Sequence, residues 1–412
     1  MDIVILTNEY PPNVYGGAGV HVEYLTRELA RLDGARHTVQ VFSFGDQSIQ
    51  EGNLTVRGIQ PNCDIICADS RRAKLMDPLV RDLAIAAEID KADVVHCHTW
   101  YTHFAGCLVQ QLTSAALVLT THSLEPHRPW KAEQLGAAYR ASSWLEKTAY
   151  QNADGVVAVS EAMREDVHDL YGVARDRIRV IPNGIDLDQY QSTPDRTVLA
   201  KYQVDADKPF VLFVGRITRQ KGIIHLVNAL KYLRPEAQIV LCAGAPDTEE
   251  IGREMAERVE QARRETANSI VWIAQMVPKS DVIALYSQAS LFVCPSVYEP
   301  FGIINLEAMA CGTSVVASAV GGIKEVVVSG ETGLLVRFEA RGATDFEPCD
   351  PEKFAHDLAD AMNKLLADPE LRRQMGARAR KRVERLFSWK SIARRTCDFY
   401  QSLIDLRGAV PL

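Results

Sequence analysis

The sequence is poor in the features that mark membrane, secreted or metal-built proteins. It has no unbroken apolar run near the ~20 residues that a spanning helix needs, so no transmembrane segment and no membrane partner are expected. It opens directly on a strand-like run, Met1-Asp-Ile-Val-Ile-Leu6, without a basic n-region, an apolar h-region or a cleavage site. A reducing, cytoplasmic address is the expectation. Positive charge is not in excess, since the formal net charge is -7. That argues against a nucleic-acid binder, which needs a broad basic footprint. Basic residues cluster only near the C-terminus, in Arg378-Ala-Arg-Lys-Arg382 and Arg394-Arg395, spaced like the solvated face of a helix. The 9 cysteines are scattered. Cys97, Cys242, Cys294 and Cys311 lie in or beside apolar runs, where thiols pack as small hydrophobes. Cys63 and Cys67 lack a second pair, so neither a zinc site nor any other metal or cofactor is expected. A Walker lysine motif, a Gly-x-Ser-x-Gly elbow and a His-Glu-x2-His helix are all missing, which excludes the chemistries those motifs serve.

What is present is a regular alternation. The 412 residues, 47% hydrophobic and 24% charged, suit a globular protein of two domains. In the first half, strand-like runs cover 3–7, 37–44, 93–98, 117–121, 155–160 and 177–181, with amphipathic helical patterns between several of them. The runs at 3–6 and 117–119 are apolar throughout, as strands covered on both faces are. A polar stretch, 189–208, reads as a linker. Strands resume at 210–214, 238–243, 269–273, 291–295 and 314–318, separated by helices that include 248–266 and 351–367. The last segment, 389–406, is an amphipathic helix after a break at Phe387-Ser388. The expected fold class is α/β, with two doubly wound parallel-sheet domains spanning 1–190 and 209–387. Ligands of such sheets sit beyond the carboxyl ends of the strands, so a cleft between the domains is expected.

The loops after the strands carry the chemistry. Val214-Gly-Arg216-x4-Lys221-Gly places two cations after an apolar strand. Pro295-Ser-Val-Tyr-Glu299-Pro-Phe-Gly-Ile303-Ile304-Asn-Leu-Glu307 places two carboxylates around a glycine turn that opens a helix. Cations suit a diphosphate, helix-start amides suit its oxygens, and carboxylates suit sugar and ribose hydroxyls. Glu307 lies in an apolar helix, where a carboxylate needs a hydroxyl or cation partner. After the first strand comes Tyr15-Gly16-Gly17-Ala-Gly19, whose amides at a helix start suit a phosphate. Val22 stands where a dinucleotide fingerprint needs a small residue, so ordinary NAD binding is not expected. His96 and His98 share one face of a strand, which suggests a metal pair. No carboxylate joins them at ligand spacing, so strand-end packing and hydrogen bonding are expected instead. His122 ends a strand at the presumed cleft, where a neutral imidazole suits a sugar hydroxyl or the reacting centre. The following loop holds His127, Arg128, Trp130 and Lys131. The indole suits a sugar face, and Arg128 and Lys131 suit a phosphate.

These residues resemble a known family, the retaining glycosyltransferases of the GT-B fold, family 4. Within it the chain is similar to short, actinobacterial-type glycogen synthases and to α-maltose-1-phosphate synthases. The carrying segments are Glu9-Tyr-Pro-Pro with Tyr15-Gly-Gly-Ala-Gly; Thr121 to Lys131; Glu133-Gln-Leu-Gly with Ser142-Ser-Trp-Leu-Glu146; Pro182-Asn-Gly-Ile-Asp186; Gly215-Arg-x4-Lys-Gly222; and Glu299-x7-Glu307. The resemblance implies that Arg216 and Lys221 neutralise a donor diphosphate, with amides near Gly16 and Gly17 and those of Ile303 and Ile304 adding phosphate contacts. It implies that Glu299 meets the transferred glucose, Glu307 the ribose, and His122 the reaction centre. His127, Arg128, Trp130 and Lys131 are expected on the acceptor side from the loop's own residues, and the resemblance implies that the helix from 389 onward packs back onto the first domain. Two positions depart from larger glycogen synthases: Val14 replaces a Lys, and Thr99 replaces the Asp of a His-x-His-Asp-Trp stretch.

The expected reaction is transfer of α-glucose from ADP-glucose or UDP-glucose to a glucan end, forming α-1,4 bonds with retention. Glucose 1-phosphate is the alternative acceptor. A sugar-nucleotide 2-epimerase is the alternative from another enzyme class, and a non-catalytic binding protein is opposed by the intact Arg216, Lys221, Glu299 and Glu307.

Overall fold

The structure is a computed structural model that describes residues 1–14, 16–61, 65–342 and 345–408. Expectations that rest on Tyr15 and on Cys63 lie outside the described residues. The chain divides into two compact units, Met1–Gly184 with Trp389–Leu412, and Ile185–Ser388.

The first unit is built on eight strands: β1 (Asp2–Thr7), β2 (Thr38–Phe44), β3 (Ser48–Glu51), β4 (Leu54–Ile59), β5 (Val94–His98), β6 (Ala116–Thr121), β7 (Gly155–Ala158) and β8 (Ile178–Val180). Their order in the sheet is β3-β4-β2-β1-β5-β6-β7-β8. Every pairing is parallel except β3 with β4. β5 and β6 are buried along their whole length, as strands sandwiched between helices must be. The last helix, Trp389–Gly408, lays Ile392, Tyr400 and Leu403 into the same core as Ile3, Ile5 and Val118.

The second unit holds β9 (Phe210–Arg216), β10 (Gln238–Gly244), β11 (Ile270–Ile273), β12 (Leu291–Cys294), β13 (Val315–Ser318) and β14 (Gly333–Val336) in the order β11-β10-β9-β12-β13-β14. All of these pairings are parallel. Phe213, Leu241 and Val293 pack with Met255 and Leu358 from the covering helices. Helix starts follow local chemistry. Thr248 and Asp350 accept the N–H of Ile251 and Lys353, and Pro351 takes a first-turn position whose N–H has no intrahelical acceptor. Among the described residues, no helix is long and apolar enough to cross a membrane.

Three expectations are corrected. The polar stretch 189–208 belongs to the second unit, which begins at Ile185. It contains a helix, Thr197–Lys201, whose Val198 and Leu199 are buried, and Asp281 accepts from both Lys201 and Tyr202. Average polarity hid those apolar anchors. The second correction is the basic run 378–382, which is not a free solvated face. Arg378 donates to the Glu331 carbonyl, Arg380 to the carbonyls of Tyr190 and Ala310, and Arg382 to those of Glu325 and Val326. Two of these arginines therefore cap the carboxyl ends of the helices Ile303–Ala310 and Ile323–Val326, where a cation is favoured. Arg394 and Arg395 are likewise engaged, by Asp33 and the Val180 carbonyl. The third correction is that β3, β4 and β14 were missed, β3 and β4 because polar residues interrupt them and β14 because it has only 4 residues.

In each sheet the connections diverge beside one strand. β1 lies between β2 and β5, and β9 lies between β10 and β12. The loops leaving such a strand and its neighbour open a crevice at their carboxyl ends, which is where ligands of doubly wound sheets bind.

Candidate active site

In the second unit the switch point is occupied by charge. Lys221, after β9, donates to Glu299 Oε2 at 2.7 Å, after β12. Ser296 Oγ donates to the same oxygen at 3.1 Å. Both bonds fall on Oε2, so Oε1 is left for a ligand. Burial alone would lower the Lys221 pKa, but the Glu299 carboxylate overrides that and holds the ammonium above its ordinary value. An ammonium has three donors, so the Glu299 bond leaves two for an incoming anion.

Glycines make this approach possible. Gly222 has a φ of +61, and a Cβ there would stand 2.0 Å from the Pro295 carbonyl oxygen. The loop after β9 therefore lies directly against the loop after β12, and Val297 N–H closes the contact on the Gln220 carbonyl. On the other side, Gly321 would place a Cβ 2.0 Å from the Glu299 carbonyl oxygen. A side chain at Gly222 would push the Pro295 backbone away, and one at Gly321 would push away that of Glu299.

Arg216 points elsewhere. It pairs with Asp247 at 2.9 Å, and its side chain is 46% exposed. Such a pair is weak, which leaves the guanidinium available to an anion. Ile303 and Ile304 are the first two residues of the helix Ile303–Ala310, so their N–H groups lack intrahelical acceptors. Glu307, half-buried on that helix, accepts from Tyr190 OH at 2.8 Å and from Tyr286 OH at 3.0 Å. Burial raises its pKa, and the two phenols oppose the rise. Each carboxylate oxygen keeps a further lone pair for ribose hydroxyls.

In the first unit the same position is filled by neutral imidazoles. His98 Nδ1 and His122 Nε2 lie 2.9 Å apart. His21, from the first helix, bonds Asn183 Oδ1 at 2.5 Å, and its ring meets His122 edge-on at 4.8 Å. Burial depresses the pKa of His21 to about 4 and takes those of His96, His98 and His122 well below the ordinary value. His96 is fully paired, with Tyr400 OH at 2.5 Å and Thr120 Oγ1 at 2.6 Å, as strand-end packing requires. Among the described residues, His21, His98 and His122 bring ligand-type nitrogens within 4.8 Å of one another, a donor set that suits a transition metal. The His98–His122 hydrogen bond already uses two of those nitrogens.

The glycine loop holds a surprise. The Gly16 N–H donates to Glu9 Oε2 at 2.9 Å, so a carboxylate occupies the anion position expected for a phosphate. Gly17 begins the helix Gly17–Arg31 and is exposed.

The loop after β6 rests on buried acids. Glu146 Oε2 accepts the Glu125 N–H at 2.8 Å and the Tyr171 hydroxyl, and Glu125 Oε2 accepts Ser142 Oγ at 2.9 Å. Burial, with Glu125 adding to it, pushes the Glu146 pKa up to about 8. Arg128 lies 3.8 Å from Glu125 and donates to Ser123 Oγ at 3.2 Å, and its buried Nε has no partner among the described residues. Lys131 Nζ donates to Gln134 Oε1 at 3.0 Å, His127 lies 3.4 Å from Asp166, and Trp130 is half-buried. The sequence reading missed Glu9, His21, Asn183, Tyr190, Asp247, Tyr286, Ser296 and Gly321. Glu9, Asn183 and Ser296 sit inside the motifs above, and the paired glycines 321–322 were a visible signal. The tyrosines carried none.

The family model Glycosyltransferase Family 4 matches residues 15–189, and Glycosyl transferases group 1 matches residues 195–382. The chain is 45% identical to an alpha-maltose-1-phosphate synthase of Mycolicibacterium smegmatis, over 98% of this chain and 100% of that protein. It is 27% identical to a glycogen synthase of Mycobacterium tuberculosis, over 97% of this chain and 94% of the other. Among solved structures, a sucrose-phosphate synthase from Thermosynechococcus elongatus is similar with a TM-score of 0.77 at 27% identity, covering 98% of this chain and 100% of that one.

Proposed function

This chain belongs to the family 4 glycosyltransferases, with two Rossmann-like units of the GT-B class, and we propose that it transfers α-glucose from a nucleoside-diphosphate donor to glucose 1-phosphate. The product would be α-maltose 1-phosphate. The observation that carries this reading is the 45% identity along the whole chain to an enzyme named for that product. A glucan acceptor, the reading first drawn from the sequence, has weaker support, since the glycogen synthase relative is only 27% identical.

In the proposed reaction the anomeric C1–O(phosphate) bond breaks and the acceptor 4-hydroxyl oxygen bonds to C1 on the same face. The hydroxyl proton passes to the leaving phosphate oxygen. Lys221 and Arg216 stabilise the charge that grows on the leaving diphosphate, with the Ile303 and Ile304 amides adding donors. Glu299 orients the glucose hydroxyls, Glu307 the ribose, and His122, neutral in the folded chain, supports the transferred sugar. His127, Arg128, Trp130 and Lys131 contribute to the acceptor side. Positioning and preorganised charge are the protein's contribution.

The test supplies radiolabelled ADP-glucose, and in parallel UDP-glucose, with either glucose 1-phosphate or a maltooligosaccharide. The expected outcome is a labelled phosphorylated disaccharide and stoichiometric nucleoside diphosphate. Label entering only the oligosaccharide would sink the acceptor assignment. Conversion of the sugar nucleotide without release of nucleoside diphosphate would point to the epimerase class instead.

A further inference from the structure

The amino end of β2, opposite the crevice, carries a second group of metal-type ligands. Asp33, Gly34 and Ala35 stand at positive φ of 51, 69 and 62 in the turn between the helix Gly17–Arg31 and β2. Aspartate and glycine tolerate that left-handed region, but a Cβ strains it at Ala35. The turn folds the Asp33 carboxylate back toward His37, the residue before β2. Beside His37 lies Cys397, on the helix Trp389–Gly408. Among the described residues, Asp33, His37 and Cys397 bring a carboxylate oxygen, an imidazole nitrogen and a thiol sulfur within 4.8 Å of one another. Sequence spacing hid the set, because 360 positions separate His37 from Cys397.

The separations distinguish a metal cradle from a hydrogen-bonded cluster. His37 Nε2 lies 3.5 Å from Asp33 Oδ2 and 3.6 Å from Cys397 Sγ. A ring nitrogen has one proton or one lone pair, so it serves two neighbours poorly. The Nε2–Oδ2 distance is also beyond the roughly 2.7–3.2 Å of a good N–H···O bond. A tetrahedral zinc ion stands about 2.0–2.2 Å from nitrogen and oxygen ligands and about 2.3 Å from sulfur, which sets N···O at roughly 3.4 Å and N···S at roughly 3.6 Å. The observed spacings are those of zinc ligands. His37 Nδ1 faces the Met1 amine nitrogen at 3.4 Å, so Nε2 is the nitrogen turned to the other two groups. His37 and Cys397 are buried and Asp33 is exposed, which leaves a way in from solvent and a fourth position for water. Arg394 is the competitor, forking onto the Asp33 oxygens at 2.6 and 3.0 Å.

We propose that Asp33, His37 and Cys397 bind a zinc-type divalent cation, which fastens the last helix to the turn before β2. A thiolate joined by an imidazole and a carboxylate suits Zn²⁺ and excludes the hard cations Mg²⁺ and Ca²⁺. Burial, with Asp33 adding to it, raises the Cys397 pKa, so the thiol proton leaves to solvent as the cation arrives. The histidine trio at the crevice contains no sulfur, so the two sites differ spectroscopically.

The test titrates Co²⁺ into the chelator-stripped, reduced full chain and follows the near-ultraviolet thiolate-to-cobalt band, then displaces Co²⁺ with Zn²⁺. The variants are Cys397→Ser, Asp33→Asn and Arg394→Gln, with the exposed thiol variant Cys349→Ser as control. The Tm of each without metal verifies folding. The expected result is one Co²⁺ per chain with a thiolate band, and a Tm that rises with Zn²⁺ concentration. Cys397→Ser should lose the band and bind Zn²⁺ at least tenfold more weakly, and Asp33→Asn should also bind at least tenfold more weakly. Arg394→Gln should bind more tightly, because it removes a competing cation, and Cys349→Ser should match the wild type. A wild type without the band overturns the proposal, as does a band that survives Cys397→Ser or is lost in Cys349→Ser. Zn²⁺ held by the histidine trio alone would give no thiolate band and equal affinity in Cys397→Ser, which also overturns it. If Cys397→Ser does not fold, the other pair decides: opposite shifts in Asp33→Asn and Arg394→Gln support the site, and any other pattern sinks it.

Discussion

The two parallel sheets solve the same problem with opposite electrostatics. At the switch point of the second sheet the groups are charged: Lys221 faces Glu299 at 2.7 Å and Arg216 faces Asp247 at 2.9 Å. At the switch point of the first, His98 faces His122 at 2.9 Å with both rings held neutral by burial. One topology thus presents a charge-stabilising surface in one unit and an uncharged, hydrogen-bonding surface in the other. The fold decides where side chains meet, and burial and neighbours decide their charge.

The sharpest way to break this comparison is to remove the charge on the second side. Lys221→Ala should lower kcat/KM for the nucleotide sugar by roughly 10²–10³-fold, the scale of losing one preorganised donor to a developing oxyanion. It also leaves Glu299 buried without its cation, so a fall in Tm should accompany it. A variant that folds and retains wild-type kcat/KM would remove the diphosphate role.

Next in size is acid. The His21 pKa is depressed in the folded chain to about 4 from 6.5. As pH falls below about 6.5 the unfolded chain takes up the proton first, so stability present above that pH is lost down to about 4. His21 alone accounts for roughly 3 kcal/mol of this. His96, His98 and His122 shift in the same direction. Glu307 shifts the other way, its raised pKa favouring the folded chain as pH falls. Hydrogen exchange at pH 6.5 and 4.5 should therefore show protection lost in β5 and β6 before β9 and β12. Equal loss in both sheets would dissolve the contrast.

A smaller effect is expected at Glu146, where the sign reverses within the first unit. Its folded pKa, about 8, exceeds 4.5, so the folded chain retains a proton that the unfolded chain releases. Stability from this group is full below about pH 4.5 and declines as pH rises to about 8. Glu146→Gln should raise Tm at pH 8 by about 2–4 °C for each kcal/mol recovered, and give no gain near pH 5. A Tm gain of the same size at both pH values would refute the buried-proton account.

The smallest effect belongs to Tyr190→Phe, which deletes one hydroxyl from Glu307. A loss of about 1 kcal/mol, read as a roughly fivefold rise in the KM of the nucleotide sugar, is the expected scale for one hydrogen bond. An unaltered KM would mean that Glu307 needs no second phenol.

Much of this architecture was legible in the chain because local pattern carries it. The runs 3–7 and 117–121 read as strands covered on both faces from their apolar residues alone, and the structure places strands at Asp2–Thr7 and Ala116–Thr121. Arg216, Lys221 and Glu299 stood out as charges near glycines in the loops after strands, and Glu307 as a carboxylate in an apolar helix. Tyr190 was invisible because its segment averages as polar, and the arginines at 378–382 were misread because a charge count cannot show a carbonyl waiting across a fold.

The sequence by itself determined two alternating strand–helix units, the loops that follow their strands, and the types of charge those loops carry. Only the tertiary structure decided that Lys221 meets Glu299 across 78 positions, that Tyr190 reaches Glu307 across 117, and that His21 stands beside Asn183 across 162. The reason is physical. Backbone propensity and side-chain periodicity act over a few residues, whereas ion pairing and burial depend on which strands become neighbours in the sheet.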